Sequence, residues 1–107
     1  MCKLISKKEG ENMRNAYTLM ENNVNILAQN TRLDIIGELD AIIQYEAHIA
    51  SSTDPTYRAT LQDIVNEEKV HVGQLFGLLF MLDPASKDGF EKGLNEFSKQ
   101  NTMNYKN

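Results

Sequence analysis

Residues 67–71 read Glu-Glu-Lys-Val-His, and they lie in the middle of a segment that otherwise has the pattern of an amphipathic helix. From Tyr57 onward, residues spaced three or four apart fall on one helical face. That face is apolar except for one carboxylate and one imidazole: Tyr57, Leu61, Ile64, Glu68, His71, Leu75 and Leu78. An ionised carboxylate without a partner among apolar side chains costs several kcal/mol. The pattern therefore predicts a helix whose polar groups require a compensating charge.

The preceding segment repeats this arrangement. Its apolar face is interrupted once, by a carboxylate: Ile35, Glu38, Ile42, Tyr45 and Ile49. Asp54 and Pro55 separate the two segments, since Asp is a good helix N-cap and Pro suits the first helical position. A linker of about four residues between two helices predicts an antiparallel hairpin.

The two interruptions are predicted to lie side by side. Glu38 precedes Thr53, the midpoint of the linker, by 15 residues, and Glu68 follows it by 15 residues. At 1.5 Å per residue both carboxylates lie about 22 Å from the turn, and His71 follows one turn later on the same face. Three groups that are independently solvated are the simpler alternative, but their common level on two apolar faces favours a bound metal ion.

A known class of metal site matches this ligand set. Di-iron and di-manganese sites in four-helix bundles take one Glu from each of two helices and a Glu-x-x-His from each of the other two. The hairpin supplies half of that set, and no second Glu-x-x-His occurs in the sequence. A two-fold dimer would complete both the bundle and the site at the subunit interface. Oxygen-rich ligands with one imidazole favour iron or manganese over zinc.

Two further features concern the surroundings of this site. Tyr45, two turns from Glu38 on the same helical face, is either a core residue or a hydroxyl donor to a ligand carboxylate. Ile36, Ile43 and Val65 lie outside the faces that carry Glu38 and Glu68, so a lone hairpin is expected to leave apolar surface uncovered. This uncovered apolar surface favours assembly around the site.

Capping signals predict the helix boundaries. Asn30 or Thr31 is expected to cap the first helix. Asp83 and Pro84 end the second, because a residue before proline is pushed out of the helical region. The predicted helices span residues 31–50, 55–82 and 87–100.

The ends of the chain carry weaker signals. Residues 1–30 are predicted to be a tail with a short helix in its Asn-rich second half, and residues 31–100 form the helical domain. Residues 1–12 are either a disordered extension or precede a true start at Met13. Residues 101–107 are expected to be a disordered tail.

The composition excludes several classes of protein. A formal net charge of −4 without a basic stripe argues against nucleic-acid binding. Cys2 is the only cysteine, so no internal disulfide can form, and a reducing, cytoplasmic setting is expected. No apolar run approaches the roughly 20 residues that span a bilayer, so no membrane association is expected.

Three motifs resemble the encapsulated ferritins, small two-helix ferritin-like proteins housed in encapsulin nanocompartments. They are Gly-Glu-Leu-Asp-Ala-Ile-Ile-Gln-Tyr-Glu (37–46), Glu-Glu-Lys-Val-His-Val-Gly (67–73) and Leu-Leu-Phe-Met-Leu-Asp-Pro (78–84), within a likeness over about residues 32–97. The resemblance implies an all-α fold, half of a ferritin-like four-helix bundle plus a short C-terminal helix, completed by dimerisation. It also implies a ferroxidase that binds iron, rather than manganese, at a di-iron site shared across a dimer interface.

The resemblance further assigns residues and partners. Glu38, Glu68 and His71 correspond to the iron ligands, and the dimers of the family build a ring-shaped decamer whose encapsulin partner stores the mineral. Members with Glu before the ligand Glu carry an iron-entry acid there, whereas this chain has Gly37, so metal entry would fall to Asp40 and Glu67.

Two observations keep other functions open. No encapsulin-targeting peptide is recognisable in residues 95–107. Glu-Glu-Lys-x-His by itself also resembles rubrerythrin-type sequences. The alternatives are therefore a rubrerythrin-like scavenger of peroxide or oxygen, and a non-catalytic helical assembly module with a structural metal.

Overall fold

The computed structural model describes residues 6–101, which form three helices. These are α1 (Lys7–Ser51), α2 (Pro55–Leu82) and α3 (Pro84–Asn101). A three-residue connection joins α1 to α2, which packs against the C-terminal part of α1 from Ala28 onward, and α3 packs on α2. The predicted all-α architecture, a hairpin followed by a C-terminal helix, is confirmed. The tail predicted over 101–107 lies outside the described residues, apart from the last residue of α3.

The predicted start of the first helix was wrong, because α1 is one continuous helix of 45 residues. The hydroxyl of Ser6 accepts a hydrogen bond from the Glu9 backbone N–H at 3.1 Å, and the Glu9 carboxylate accepts one from the Ser6 N–H at 3.2 Å. This reciprocal capping box satisfies backbone groups that a helix start leaves without partners. Residues 7–30 are therefore helical and do not form a tail.

Thr31 also has a different role from the predicted cap. Its side chain is buried, and its hydroxyl donates to the carbonyl of Leu27 at 2.7 Å. The hydroxyl is thus satisfied by a carbonyl one turn earlier in the same helix and does not act as a cap. By contrast, the predicted cap of α2 is confirmed, since Asp54 accepts from the Tyr57 N–H at 2.7 Å.

The hydrophobic core is a narrow seam between α1 and α2. Ala28 and Ile35 of α1 and Leu79 of α2 form its buried cluster, with three half-buried side chains packed against it: Leu75, Phe76 and Leu82. Val65 is fully buried further along the hairpin. The expectation that a lone hairpin leaves Val65 uncovered was therefore wrong, whereas Ile36 and Ile43 are exposed as expected.

Val65→Ala is expected to destabilise the hairpin by about 2 kcal/mol, because two buried methyl groups are removed from a packed seam. Val70→Ala is the matched control: Val65 is 0% exposed and Val70 is 62% exposed on the same helix. The control should change the free energy of unfolding by less than about 0.5 kcal/mol. Urea titrations of metal-free protein, all at the same protein concentration, measure the free energy of unfolding of both variants. Equal losses of stability in the two variants would contradict the assigned core.

A cluster of three phenylalanines holds α3 against α2. The ring centroids of Phe76, Phe80 and Phe90 lie 5.2–5.8 Å apart with tilted planes, a favourable arrangement for aromatic side chains. No helix among residues 6–101 combines the length and hydropathy that crossing a bilayer requires.

A polar junction ties α1 to the turn between α2 and α3. Arg32 Nη2 lies 2.6 Å from Asp83 Oδ2 and 2.8 Å from the Ser86 hydroxyl, which itself donates to Asp83 at 2.7 Å. The Ser86 hydrogen bond first, and then Arg32, hold the pKa of Asp83 below its ordinary value of 3.8. The ionised form of Asp83 is therefore the form that stabilises the fold.

Asp83→Asn is expected to lower stability at pH 7, with the difference from wild type shrinking as the pH falls below 3.8. A carboxyl whose pKa is lowered by folding stabilises the native state above its unfolded pKa, and this contribution disappears as the pH falls through the folded pKa. Thermal unfolding from pH 7 to pH 2.5 measures the difference. Asp88→Asn, on exposed α3 surface, should show no such trend; a constant Asp83→Asn effect would contradict the assignment.

Candidate metal centre

Glu38 of α1 and Glu68 and His71 of α2 meet halfway along the hairpin. The continuous helices set their level, since Glu38 and Glu68 are equally far from the Ser52–Asp54 connection along two antiparallel rods. His71 follows Glu68 by one helical turn and lies on the same face. The convergence predicted from the sequence is present within a single copy of the chain.

The three side chains surround a space of the size of one cation. His71 Nδ1 lies 3.6 Å from Glu38 Oε1 and 3.7 Å from Glu68 Oε2, and one ligand atom from each residue lies within 4.8 Å of the others. These separations exceed hydrogen-bonding distance. Ligand atoms held about 2.1 Å from a divalent ion lie roughly 3–4 Å from one another. The donor set therefore fits a metal better than it fits a direct hydrogen-bonded triad.

The site is open on one side. The exposed fraction of the side chain is 18% for Glu68, 26% for Glu38 and 45% for His71. The nearest basic side chain in the sequence, Lys69, forms an exposed ion pair with Glu46 at 3.8 Å. Two partly buried carboxylates thus lie together with only an imidazole as partner among the described residues, which favours binding of an external cation.

The surrounding face of α2 is apolar at heptad spacing from His71. Ile64 and Leu78 lie seven residues before and after it, and Tyr57 lies seven residues before Ile64. Leu78 and Tyr57 are exposed and Ile64 is half-buried. The three converging groups are thus flanked along α2 by two exposed apolar side chains and one half-buried one.

The other residues predicted around the site occupy different positions. Tyr45 is half-buried two turns from Glu38, and its hydroxyl makes no hydrogen bond within residues 6–101. Its role as a donor to a ligand therefore remains a prediction. Asp40 and Glu67 are exposed. Asp40 follows Glu38 by two residues and so points about 200° away around α1, which does not favour it as an entry acid.

Sequence reasoning missed one acidic residue close to the site. Asp34 lines an open groove of about 480 Å³ together with Glu38 and Glu68, and Gly37 forms part of its wall. The signal was the four-residue spacing from Glu38, which places both carboxylates on one face.

Three curated relatives are similar to the chain in sequence. It is 46% identical over 70 residues to a ferritin-like–encapsulin shell fusion protein of Pyrococcus furiosus, covering 62% of the chain and 20% of the relative. It is 41% and 39% identical to the encapsulin nanocompartment cargo proteins EncB and EncC of Myxococcus xanthus, of which it covers 39% and 54%. The chain therefore spans between a fifth and about half of the length of these relatives. No protein-family model matches it.

A solved structure matches over most of both chains. The encapsulated ferritin domain of Pyrococcus furiosus superposes with a TM-score of 0.72 and 36% identity, covering 77% of this chain and 84% of that one. A likeness of this extent involves sequence and fold together. The helical hairpin is therefore half of a ferritin-like bundle, and the chain belongs to the encapsulated ferritin family.

Proposed function

We propose that the protein is a ferroxidase that oxidises Fe(II) to Fe(III) at a di-iron site shared by two copies. The observation that carries this proposal is the convergence of Glu38, Glu68 and His71 around a cation-sized space on an open face of the hairpin. Carboxylates are hard oxygen ligands that hold Fe(III) more strongly than Fe(II), and one imidazole per metal completes a ligand set typical of non-haem iron.

A second copy supplies what one hairpin lacks. Each copy offers two carboxylates and one imidazole, which is enough for one metal with open coordination positions. Two-fold pairing of the same face brings four carboxylates and two imidazoles together, so that a carboxylate from each copy can bridge two irons. The apolar side chains on either side of His71 would be covered by the same contact.

The proposed reaction balances with dioxygen as the oxidant. Two Fe(II) ions each lose one electron, and O₂ takes up both electrons with two protons to give hydrogen peroxide and two Fe(III) ions. The protein binds both substrate ions at one place, which makes the two-electron reduction of O₂ a single encounter. Glu38 and Glu68 stabilise the additional positive charge that develops on the metals.

The names of the relatives support a place for this reaction. One relative is fused to an encapsulin shell protein, and two are named encapsulin nanocompartment cargo proteins. We propose by analogy that the Fe(III) product is stored inside an encapsulin compartment. Co-expression with a shell protein and analysis of the purified shells for this chain tests that step separately from the chemistry.

The chemistry is tested by adding Fe(II) to metal-free protein in air. We expect Fe(III) absorbance to appear faster than in buffer, with consumption of one O₂ per two Fe(II). Iron binding without acceleration would contradict the proposal and favour an assembly module with a structural metal. Fast consumption of added peroxide without oxidation of Fe(II) in air would favour a scavenger.

Asp34→Asn is expected to slow oxidation two- to five-fold at low Fe(II) and low ionic strength, with little change at saturating Fe(II), because an acid at the groove raises the local cation concentration. Salt should reduce the difference, since screening weakens the attraction over about 10 Å at 0.1 M ionic strength. Asp40→Asn is the matched control on the opposite side of α1. Stopped-flow initial rates decide, and equal effects of the two variants would exclude Asp34 as an entry acid.

A further inference from the structure

The N-terminal part of α1 extends beyond the hairpin. α2 ends at Leu82, which packs near Ala28, the first buried residue of α1. Residues 7–24, here called the arm, precede this level, and all of them are exposed except the half-buried Gly10. Eighteen residues of helix make the arm about 27 Å long.

The arm carries an apolar stripe with coiled-coil spacing. Its members recur at alternating intervals of four and three residues and continue to the start of the hairpin: Met13, Tyr17, Met20, Val24 and Leu27. All of them are exposed. Apolar side chains at this spacing form the contact between two paired helices in a coiled coil, whereas a fully solvated helix gains no stability from them.

A shallow groove of about 390 Å³ follows the stripe, bordered by Tyr17, Met20, Glu21, Val24 and Asn25. In a coiled coil, residues at positions i, i+3, i+4 and i+7 form the hole for one knob of the facing helix. Tyr17, Met20, Glu21 and Val24 have this spacing, so a hole at this place would be lined mainly by apolar side chains.

The arm also needs external support to remain helical. Asn12, Asn15, Asn22 and Asn23 favour non-helical backbone conformations, and Gly10 adds backbone entropy to the unfolded arm. Most helical stability in proteins comes from packing of an amphipathic face, and the arm has no packed face within its own chain. Packing of the stripe against a partner can compensate for this low helix propensity.

Charge spacing indicates that the partner is a second arm. Arg14 and Glu21 lie seven residues apart on the same flank of the stripe. When two arms run antiparallel, with Met13 level with the partner's Val24, Arg14 of each copy lies near the partner's Glu21. The two opposite charges therefore meet twice in a symmetric pair. A parallel pair would also bring opposite charges together, Arg14 and the partner's Glu9, so the placement of the hairpins decides between the two directions.

The hairpins favour the antiparallel arrangement. Each hairpin begins where its arm ends, so parallel arms would force two hairpins side by side. Antiparallel arms place the hairpins at opposite ends and leave the face with Glu38, Glu68 and His71 free on both copies. We propose that the arm forms an antiparallel two-stranded coiled coil with the arm of a second copy, and that this contact links copies independently of the metal centre.

Met20→Glu tests the seam, with Leu19→Glu as the matched control. Both side chains are 63% exposed and adjacent in sequence, but Leu19 is about 100° away around the helix and outside the stripe. In metal-free protein, Met20→Glu should lower the weight-average mass to about half of the wild-type value, since each arm contact joins two units. Leu19→Glu should leave the mass unchanged, and both variants should keep the thermal unfolding midpoint of the hairpin.

Charge exchange tests the partner and its direction. Arg14→Glu and Glu21→Arg should each reduce association, because each places like charges in contact twice. The double variant, and an equimolar mixture of the two single variants, should restore the wild-type mass. Rescue in the mixture requires Arg14 and Glu21 to face each other across two copies, which a different protein partner or a parallel pair cannot reproduce.

Three outcomes would overturn the proposal. A wild-type mass equal to that of Met20→Glu would show that the arm does not pair with itself. Equal losses in Leu19→Glu and Met20→Glu would show that the charge, and not the seam, matters. Failure of both rescues after loss in the single variants would exclude antiparallel self-pairing. Light scattering coupled to size exclusion, with circular dichroism for helicity, measures all variants.

Discussion

Glu68→Gln is expected to lower the rate of Fe(II) oxidation by at least about 100-fold, because a lost anionic ligand removes several kcal/mol of stabilisation from the developing Fe(III) charge. Glu68 is the least exposed of the three converging groups, with an exposed side-chain fraction of 18%. The amide of Gln preserves the volume of the side chain and removes only its charge. The effect should therefore appear in the rate without loss of the helical fold.

The neighbouring residue provides the control for this prediction. Glu67→Gln makes the same chemical change one position earlier, on the exposed side of α2. At saturating Fe(II) it should keep the rate within about two-fold of wild type, because the role predicted for Glu67 is to draw Fe(II) towards the site and not to bind it there. Initial rates in air and anaerobic Fe(II) titrations measure oxidation and binding separately. Wild-type activity in Glu68→Gln, or equal losses in both variants, would rule out the ligand assignment.

The position of the site along the hairpin could be predicted from the sequence because helix geometry is rigid. A fixed rise of 1.5 Å per residue turns a residue count from the Asp54-Pro55 break into a position in space, so Glu38 and Glu68 had to meet if the hairpin formed. The same argument located His71. It needed no information about packing, which explains its success.

The start of α1 could not be derived in the same way. Asn-rich composition lowers intrinsic helix propensity, and Asn30 and Thr31 look like caps by residue type. The local energy of a capping box at Ser6 and Glu9, together with burial of Thr31 against the seam, outweighs those preferences. Propensity is a weak predictor wherever a cap and a packed face act on the same helix.

Val65 shows a second limit of sequence patterns. A helix in a half-bundle has two apolar faces, one towards its own partner in the hairpin and one towards a second copy, and periodicity alone does not separate them. Val65 lies on the first face, while Ile36 and Ile43 are exposed on α1. Burial in a single copy resolves this ambiguity, and it also shows how much apolar surface remains for assembly.

The second large effect is the coupling between metal binding and dimerisation. It concerns the face that carries Glu38, Glu68 and His71, here called the metal face. Two copies paired at this face bring two Glu38 and two Glu68 carboxylates together, and their repulsion in a partly buried site opposes association. A divalent cation supplies positive charge where the four groups converge. Metal that binds the shared site more tightly than it binds a single hairpin must stabilise the dimer by mass action.

A redox-inert divalent ion such as Zn²⁺ is therefore expected to lower the dissociation constant of the dimer about 100-fold. This value applies when the free metal concentration is about 100 times the dissociation constant of the metal for the shared site. Chelation at neutral pH should reverse the change. Acidification has two opposing effects, because protonated carboxylates repel less but a protonated His71 no longer binds metal. The comparison is consequently made at one neutral pH.

The Met20→Glu variant makes the measurement specific, since arm pairing would otherwise hold copies together without metal. In that background, sedimentation equilibrium of metal-free and Zn²⁺-loaded protein isolates the contact at the metal face. His71→Ala in the same background should lose most of the metal effect but retain any purely apolar association, because the flanking Ile64 and Leu78 are unchanged. A dissociation constant indifferent to metal in the His71-containing protein would mean that apolar contacts alone drive pairing. A cation shared between the two copies would then not be what offsets the repulsion between the Glu38 and Glu68 carboxylates.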